Sequence, residues 1–527
     1  MKRCPECRRD YYDDTLLYCL DDGNALLEGP ASPDEPTTMV LSRAHSGGDD
    51  GETDTRRFSS GNAPDDHVVA SNSIAVLPFK NISADVENEY FCEGLAEELL
   101  NALAKIDELK VAARTSAFSF KNEKTDISEI GRKLGVAHVV EGSVRKAGER
   151  LRVAVQLLNA SDGYHIWSET YDREMRDLFD LQDEITLSVI GALKLKLLGG
   201  EKRSILKRET ENTEAYKAYL MGRFLRYAKN DHAGAAVAYE EAVRLDPSHA
   251  PSWLGLGESY MLRTHYALVR ADQAGTRLKE SLTRARSIQG ETAEALYIEG
   301  FFAFIERDWR TCDEAYAKSF AIDPNNSRAL GTYGVINSVL GRVEDAMTYF
   351  ARSRESDPLA AYPYAMTGGG LANLQRPEDA MRFIEQAFAF EKDNSLALWM
   401  FCETCIALKR SDDGIAMVEA AMDVSRRPPF LLGILGCALA AAGRMQEAKQ
   451  ILAELRTRPA DAPVLVHEAC LLGAAGDKDA AFALLARAVD EYAPLAYYVG
   501  LPCFDILRDD PRFAAHVASL AIPRRNI

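Results

Sequence analysis

Four residues near the start of the chain have the types and spacing of metal ligands. Cys4 and Cys7 form a Cys-x2-Cys pair, Cys19 follows, and Asp22 stands where a second such pair would end. A structural zinc ion takes four ligands in a tetrahedron, mostly thiolate and imidazole, with carboxylate oxygen a less frequent member. Pro5 and Gly23 supply the tight turns that bring such ligands together. The fourth position is therefore Asp22, with Asp21, water or another chain as alternatives. So short a segment cannot bury enough surface to fold alone, and bound metal would supply the folding energy.

The other chemical constellations read as structural. Cys402 and Cys405 repeat the Cys-x2-Cys spacing, but they fall at helix contacts and are expected to pack. Glu93, Glu97 and Glu98 lie beside a helical apolar stripe and are expected on a solvated face. His138 and His165 sit on expected strands with no Cys or Asp at ligand spacing. The loop "KNISADVEN" has none of the glycines a phosphate cradle needs. No Ser-His-Asp context, His-x-x-x-His helix or kinase signature occurs, so the chain reads as a non-enzyme.

The elements that position these residues are of two kinds. From 213 to 491 a unit of 34 residues recurs: Ala346, Ala380, Gly414 and Ala448 mark its period, and Phe350, Ile384, Val418 and Leu452 follow each by four, on the same helix face. Twelve residues before each stands Gly334, Gly368, Cys402 or Gly436, where two helices can approach closely. Self-similarity of this length signals an all-α superhelical solenoid of about eight helical hairpins. By register, its concave groove is lined by Val335, Val339, Ala365, Asn373, Trp399, Ile406, Phe430 and Cys437, or else these touch the next helix. A weakly charged groove with aromatic anchors suits an apolar or amphipathic segment of a protein or peptide partner.

From 73 to 199 the pattern is α/β. "SIAVLPF" reads as a strand, Phe91, Leu95, Leu99 and Leu103 as a helix stripe, and "ELKVAAR" as a second strand. "DISEIGRKLGV" is a helix capped by Asp126 and ended near Gly135. A three-strand meander follows, in which Leu151, Val153, Val155 and Leu157 alternate with Arg152, Ala154 and Gln156, as a sheet with one buried face requires. Residues 28–72 are rich in Pro, Ser, Gly and Asp and read as a disordered linker, with Thr37, Thr38, Ser59 and Ser60 as possible phosphorylation sites. The tail, 492–527, reads as a capping helix and tail from "FDILRDDPRF" onward.

Three resemblances rest on these residues. The hairpins, with Gly222, Ala235, Tyr239, Ala242 and Pro247 in the first, resemble tetratricopeptide repeats. "IAVLPF", "GVAHVVEGSVRKAGERLRVAVQLLNASDGYHIWSETYDR" and "LFDLQDEI" resemble the N-terminal domain of TolB, as bacterial regulators join it to such repeats. Residues 1–27 resemble a truncated zinc ribbon. The implied function is a repeat scaffold or adaptor for protein partners, with a signalling regulator whose TolB-like domain senses a small ligand as the alternative.

Whole-chain composition adds exclusions. A net charge of −18 over 527 residues gives little footing for phosphate contacts, which disfavours a nucleic-acid partner. The longest apolar run, Leu431 to Gly443, is shorter than the roughly 20 residues a spanning helix needs. With no apolar core behind "MKRCPECRRD" and ten scattered cysteines, the expectation is a cytoplasmic protein.

Overall fold

The computed structural model describes residues 2–3, 10–11, 27–28, 70–83, 88–121, 125–148, 150–195, 210–266, 268–424, 427–457 and 464–523. They belong to two units, Met1–Asp66 and His67–Ile527. In the first, the strands β1 (Lys2–Arg3), β2 (Asp10–Tyr11) and β3 (Leu27–Glu28) pair antiparallel in the order β2-β1-β3. The expected zinc ligands Cys4, Cys7, Cys19 and Asp22, and the linker sites Thr37, Thr38, Ser59 and Ser60, lie outside the described residues.

The second unit begins with a mixed sheet. β4 (Ser73–Val76) lies parallel between β6 (Lys110–Val111) and β7 (His138–Ala147), and β5 (Lys80–Asn81) also pairs with β7. β7, β8 (Arg150–Asn159) and β9 (His165–Glu174) form the antiparallel meander. In β8, Leu151, Val153, Val155 and Leu157 are fully buried, and they meet α1 (Glu89–Leu103) and α4 (Leu178–Ala192). The opposite face, with Ala75 and Val139, is covered by α2 (Arg114–Phe118) and α3 (Ile127–Leu134). The Asp126 carboxylate caps α3 by accepting from the Ser128 N–H, and Gly135 ends it at φ 64°. The strand expected over "ELKVAAR" shrinks to two residues because α2 starts at Arg114.

Sixteen described helices then pair as eight hairpins: α5 (Thr213–Tyr227) with α6 (His232–Leu245), α7 (Ala250–His265) with α8 (Ala271–Gln289), and α9 (Ala293–Ile305) with α10 (Trp309–Ile322). Next come α11 (Ser327–Val339) with α12 (Val343–Ser356), α13 (Ala361–Asn373) with α14 (Pro377–Phe390), and α15 (Ser395–Ala407) with α16 (Ser411–Val424). The last are α17 (Pro429–Ala441) with α18 (Met445–Arg456), and α19 (Leu465–Ala474) with α20 (Lys478–Asp490).

The repeated small residue is a seat for the large one. A Cβ at Gly334 would stand 2.6 Å from the Phe350 ring, and one at Gly368 would stand 2.5 Å from Ile384. In the sixth hairpin the roles exchange, Gly414 leaving room for Cys402. Five successive turns, those of the third to seventh hairpins, contain a left-handed residue at the same period, Arg307, Gly341, Gln375, Lys409 and Gly443, and the next residue's N–H returns to a carbonyl five positions back, as Arg342 does to Asn337 at 2.9 Å. Among the described residues no helix is long and apolar enough to cross a membrane.

The tail corrects the expectation of one terminal helix. Two short turns, Pro494–Tyr497 and Pro502–Phe504, precede α21 (Asp505–Arg508) and α22 (Pro511–Ser519). Proline cannot continue a helix but fits its first turn, and Asp510 caps α22 by accepting from the Arg512 N–H.

Candidate functional site

The inner side of the repeats is occupied by the chain itself. Tyr497 donates from its hydroxyl to the Ile305 carbonyl at 2.8 Å. The Gly500 N–H reaches the Asn373 side-chain oxygen at 3.2 Å, and the Cys503 N–H reaches the Glu403 carboxylate at 3.0 Å. A Cβ at Gly500 would stand 1.7 Å from the Asn373 carbonyl, so only glycine permits this approach. Burial pushes the Glu403 carboxyl up to about 7.

This segment changes the reading of the groove. Val335, Val339, Ala365, Asn373, Trp399 and Cys437 are all buried, and Ile406 and Phe430 are partly buried against the same core. Trp399 lies 6.3 Å from Tyr498 of the tail and 4.9 Å from Phe430, ring centre to ring centre. These positions form a buried inner wall rather than an open groove, and residues 494–504 fold back over part of it, at Asn373 and Trp399. The register placed them on the inner side; nothing in the repeat pattern shows what covers them.

A cavity of about 590 Å³ remains between α2 and the inner helices of the array. Its walls include Tyr227, Tyr297, Tyr362 and Trp399, with Val335 and Ala365 contributing from the expected groove set. Four guanidinium groups surround Tyr227: those of Arg114, Arg223, Arg226 and Arg328 lie 5.1, 5.4, 4.9 and 5.2 Å from its ring centre. Three have carboxylate partners. Arg114 meets Glu97 at 2.8 Å, Arg223 meets the same Glu97, and Arg226 meets Glu258 at 3.1 Å. Against the cost of its burial, Arg226 and Arg328 hold the Glu258 carboxyl below its ordinary value.

Arg328 is different. Its guanidinium lies between the rings of Tyr227 and Tyr362, at 5.2 and 4.9 Å, and has no hydrogen bond or ion pair among the described residues. Two histidines of the cavity wall are also short of partners. His232 is buried with neither ring nitrogen bonded among the described residues, and its ring stacks on Tyr266 at 5.2 Å. His265 likewise has an unpartnered Nδ1. Burial, then Arg226, pushes the His232 imidazole down to about 3, and burial alone brings His265 to about 4, so both are neutral at pH 7.

The face of α1 expected to be solvated is a junction instead. Glu93 and Glu97 are 5% and 3% exposed, and they pair with Arg114 and Lys121 of their own domain and Arg223 of the first hairpin. The repeat that covers them is more than a hundred residues away in sequence, so helical periodicity cannot reveal it. Cys402 and Cys405 are buried as packing residues, and burial raises Cys405 to about 11, which leaves no reactive thiolate. His138 is half-buried with Nδ1 3.2 Å from the Ser73 carbonyl, while His165 is exposed. Among the described residues, no group of three or more His, Cys, Asp or Glu is arranged to hold a metal. Sequence reasoning missed Arg328, whose one signal is an arginine in the first turn of a helix that is otherwise buried.

Comparison with known proteins covers parts of the chain. A family described as "HilA/YgeH-like transcriptional regulator, second domain" matches residues 70–187, the α/β domain. A curated relative, "Putative adenylate cyclase 3" of Rhizobium meliloti (strain 1021), is 37% identical over 195 residues, which are 37% of this chain and 33% of the relative. The chain thus spans about a third of the length of that relative. Among solved structures, YrrB, a TPR protein with an unusual peptide-binding site, is 22% identical over 36% of this chain and 92% of its own, at a TM-score of 0.23. A tetratricopeptide repeat protein from Parabacteroides merdae ATCC 43184 is 12% identical over 58% of this chain and 99% of its own, at 0.30. At these scores the structural likenesses carry no argument, and the repeat architecture rests on the helical hairpins themselves.

Proposed function

We propose that this protein is a non-enzymatic signalling regulator, a repeat scaffold whose array and α/β domain together enclose a pocket for a small ligand. The observation that carries this reading is the shared wall of the cavity, to which α2 contributes Arg114 and Phe118 while the hairpins contribute Arg328, Tyr362 and Trp399. A ligand held there touches both parts, so its binding energy favours their closed arrangement. The relatives matched over part of the chain are named for transcriptional regulation and for a cyclase, which supports a signalling setting. Thermal unfolding of the full chain against a metabolite set tests the reading: a true ligand at a hundred times its Kd stabilises by about 2.7 kcal/mol. Uniform failure of the set to shift the transition would count against it.

A second reading, a scaffold for peptide partners, is favoured by the way the inner side of the array already holds residues 494–504. In this reading a partner segment replaces the tail. A labelled peptide of residues 492–508 would bind a Gly500→Ala chain and not the wild type; binding to neither removes the reading. The proposal also keeps a structural zinc at Cys4, Cys7, Cys19 and Asp22, a TolB-like α/β domain and a cytoplasmic setting. Equal and negligible zinc in wild type and Cys4→Ser would remove the first of these.

A further inference from the structure

We propose that the cavity around Arg328 takes a ring-bearing organic anion with a single negative charge, bound by Arg328 and the two unpartnered histidines. This rests on the reading of the cavity as a ligand pocket and adds the chemistry of the ligand. Glu97 serves Arg114 and Arg223, with Glu93 3.7 Å from Arg114 as well, and Glu258 serves Arg226. Arg328 is the cavity arginine with no carboxylate at contact distance among the described residues, Glu258 acting on it only from farther off, so an anionic group in the cavity would meet donors that are not yet engaged. A planar guanidinium offers paired N–H donors to a carboxylate or phosphate, and the Tyr227 and Tyr362 rings, 5.2 and 4.9 Å away, hold it at the cavity wall.

The histidines supply the second observation. Burying an imidazole without partners is unfavourable, and His232 does so with both nitrogens while only 4% exposed. Neutral His232 and His265 each offer a donor or an acceptor, so a ligand with further polar atoms would satisfy groups that the protein leaves open. Shape gives the rest. A cavity of about 590 Å³ falls within the range of small-molecule pockets and would be mostly unfilled by an inorganic ion. Tyr266, Tyr297, Phe301, Tyr362 and Trp399 line it with aromatic surface that favours a ring. Glu391 and Asp393, exposed at the rim beside the Asn230–Ser395 hydrogen bond, disfavour polyanions such as nucleoside triphosphates.

The test is calorimetric titration of the full chain with two kinds of monoanion, indole-3-acetate and a cyclic nucleoside monophosphate, each beside its neutral counterpart, indole-3-acetamide and adenosine. The expected result is binding of at least one anion, with its neutral counterpart about tenfold weaker or more, as befits loss of a charge-assisted contact. Which anion binds decides between carboxylate and phosphate sources. Arg328→Gln, checked for an unchanged thermal midpoint, should weaken the anion by the same factor, and Arg328→Lys should restore part of it. Equal affinity for anion and neutral ring, or an unchanged affinity in Arg328→Gln, overturns the anion assignment while leaving the pocket reading standing. Binding of none of the four compounds, or of anything else in the metabolite set, overturns both.

Discussion

His467 shows how much of this molecule is decided by single buried groups. It is 1% exposed, its ring meets Phe430 edge to face at 5.5 Å, and neither nitrogen has a partner among the described residues. Gly433 makes the room, since a Cβ there would stand 2.6 Å from the imidazole. Burial lowers its pKa from 6.5 to about 4, so it is neutral when folded. Between these values the unfolded chain binds more protons than the folded one; stability is therefore level above about pH 6.5 and falls as pH drops through the window. At pH 5 the loss is about 2 kcal/mol from this residue, from 1.5 units at 1.36 kcal/mol each. Urea denaturation of His467→Leu should show an advantage over wild type that grows by that amount between pH 7.5 and pH 5. An advantage equal at the two pH values would mean that the ring is not buried neutral.

At the scale of elements, the hairpin turns and the junction helix make separate predictions. The left-handed turn residue is glycine at Gly341 and Gly443 but Lys409, at φ 58°, in the sixth hairpin. A side chain in that conformation costs about 1 kcal/mol, so Lys409→Gly should raise the stability of the array by up to roughly that amount. Helix α1 depends on Glu97, whose carboxylate is shared by Arg114 and Arg223. Removing one member of a buried ion network leaves the others uncompensated, and Glu97→Ala should cost about 3–5 kcal/mol in chemical denaturation. A change under 1 kcal/mol would mean that the junction is solvated after all. Gly500→Ala places a methyl against the Asn373 carbonyl and should release the tail, seen as new proteolytic cleavage between residues 493 and 510.

At the scale of the whole molecule, the array and the α/β domain share one core from β8 through α1 to Tyr216, Tyr219, Leu220 and Tyr239 of the first hairpin. A fragment of residues 73–199 should therefore unfold at a lower temperature than the same domain in the full chain, by circular dichroism. The sequence made the hairpins legible because Gly334–Phe350 and its counterparts repeat a packing rule every 34 residues. It made the meander legible because β8 alternates from Arg150 to Leu157. It hid what joins distant parts: Glu97 to Arg223, Asp357 to Thr115 and Ser116, and the tail to Asn373 and Glu403. Such contacts leave no local periodicity, so an inner surface read as open is in fact partly covered. Hydrogen exchange over residues 494–504 tests that covering most directly. The Gly500 and Cys503 amides, bonded to buried acceptors, should exchange as slowly as the neighbouring inner helices. Exchange within seconds, as in a free peptide, would contradict it and return the array to an open groove.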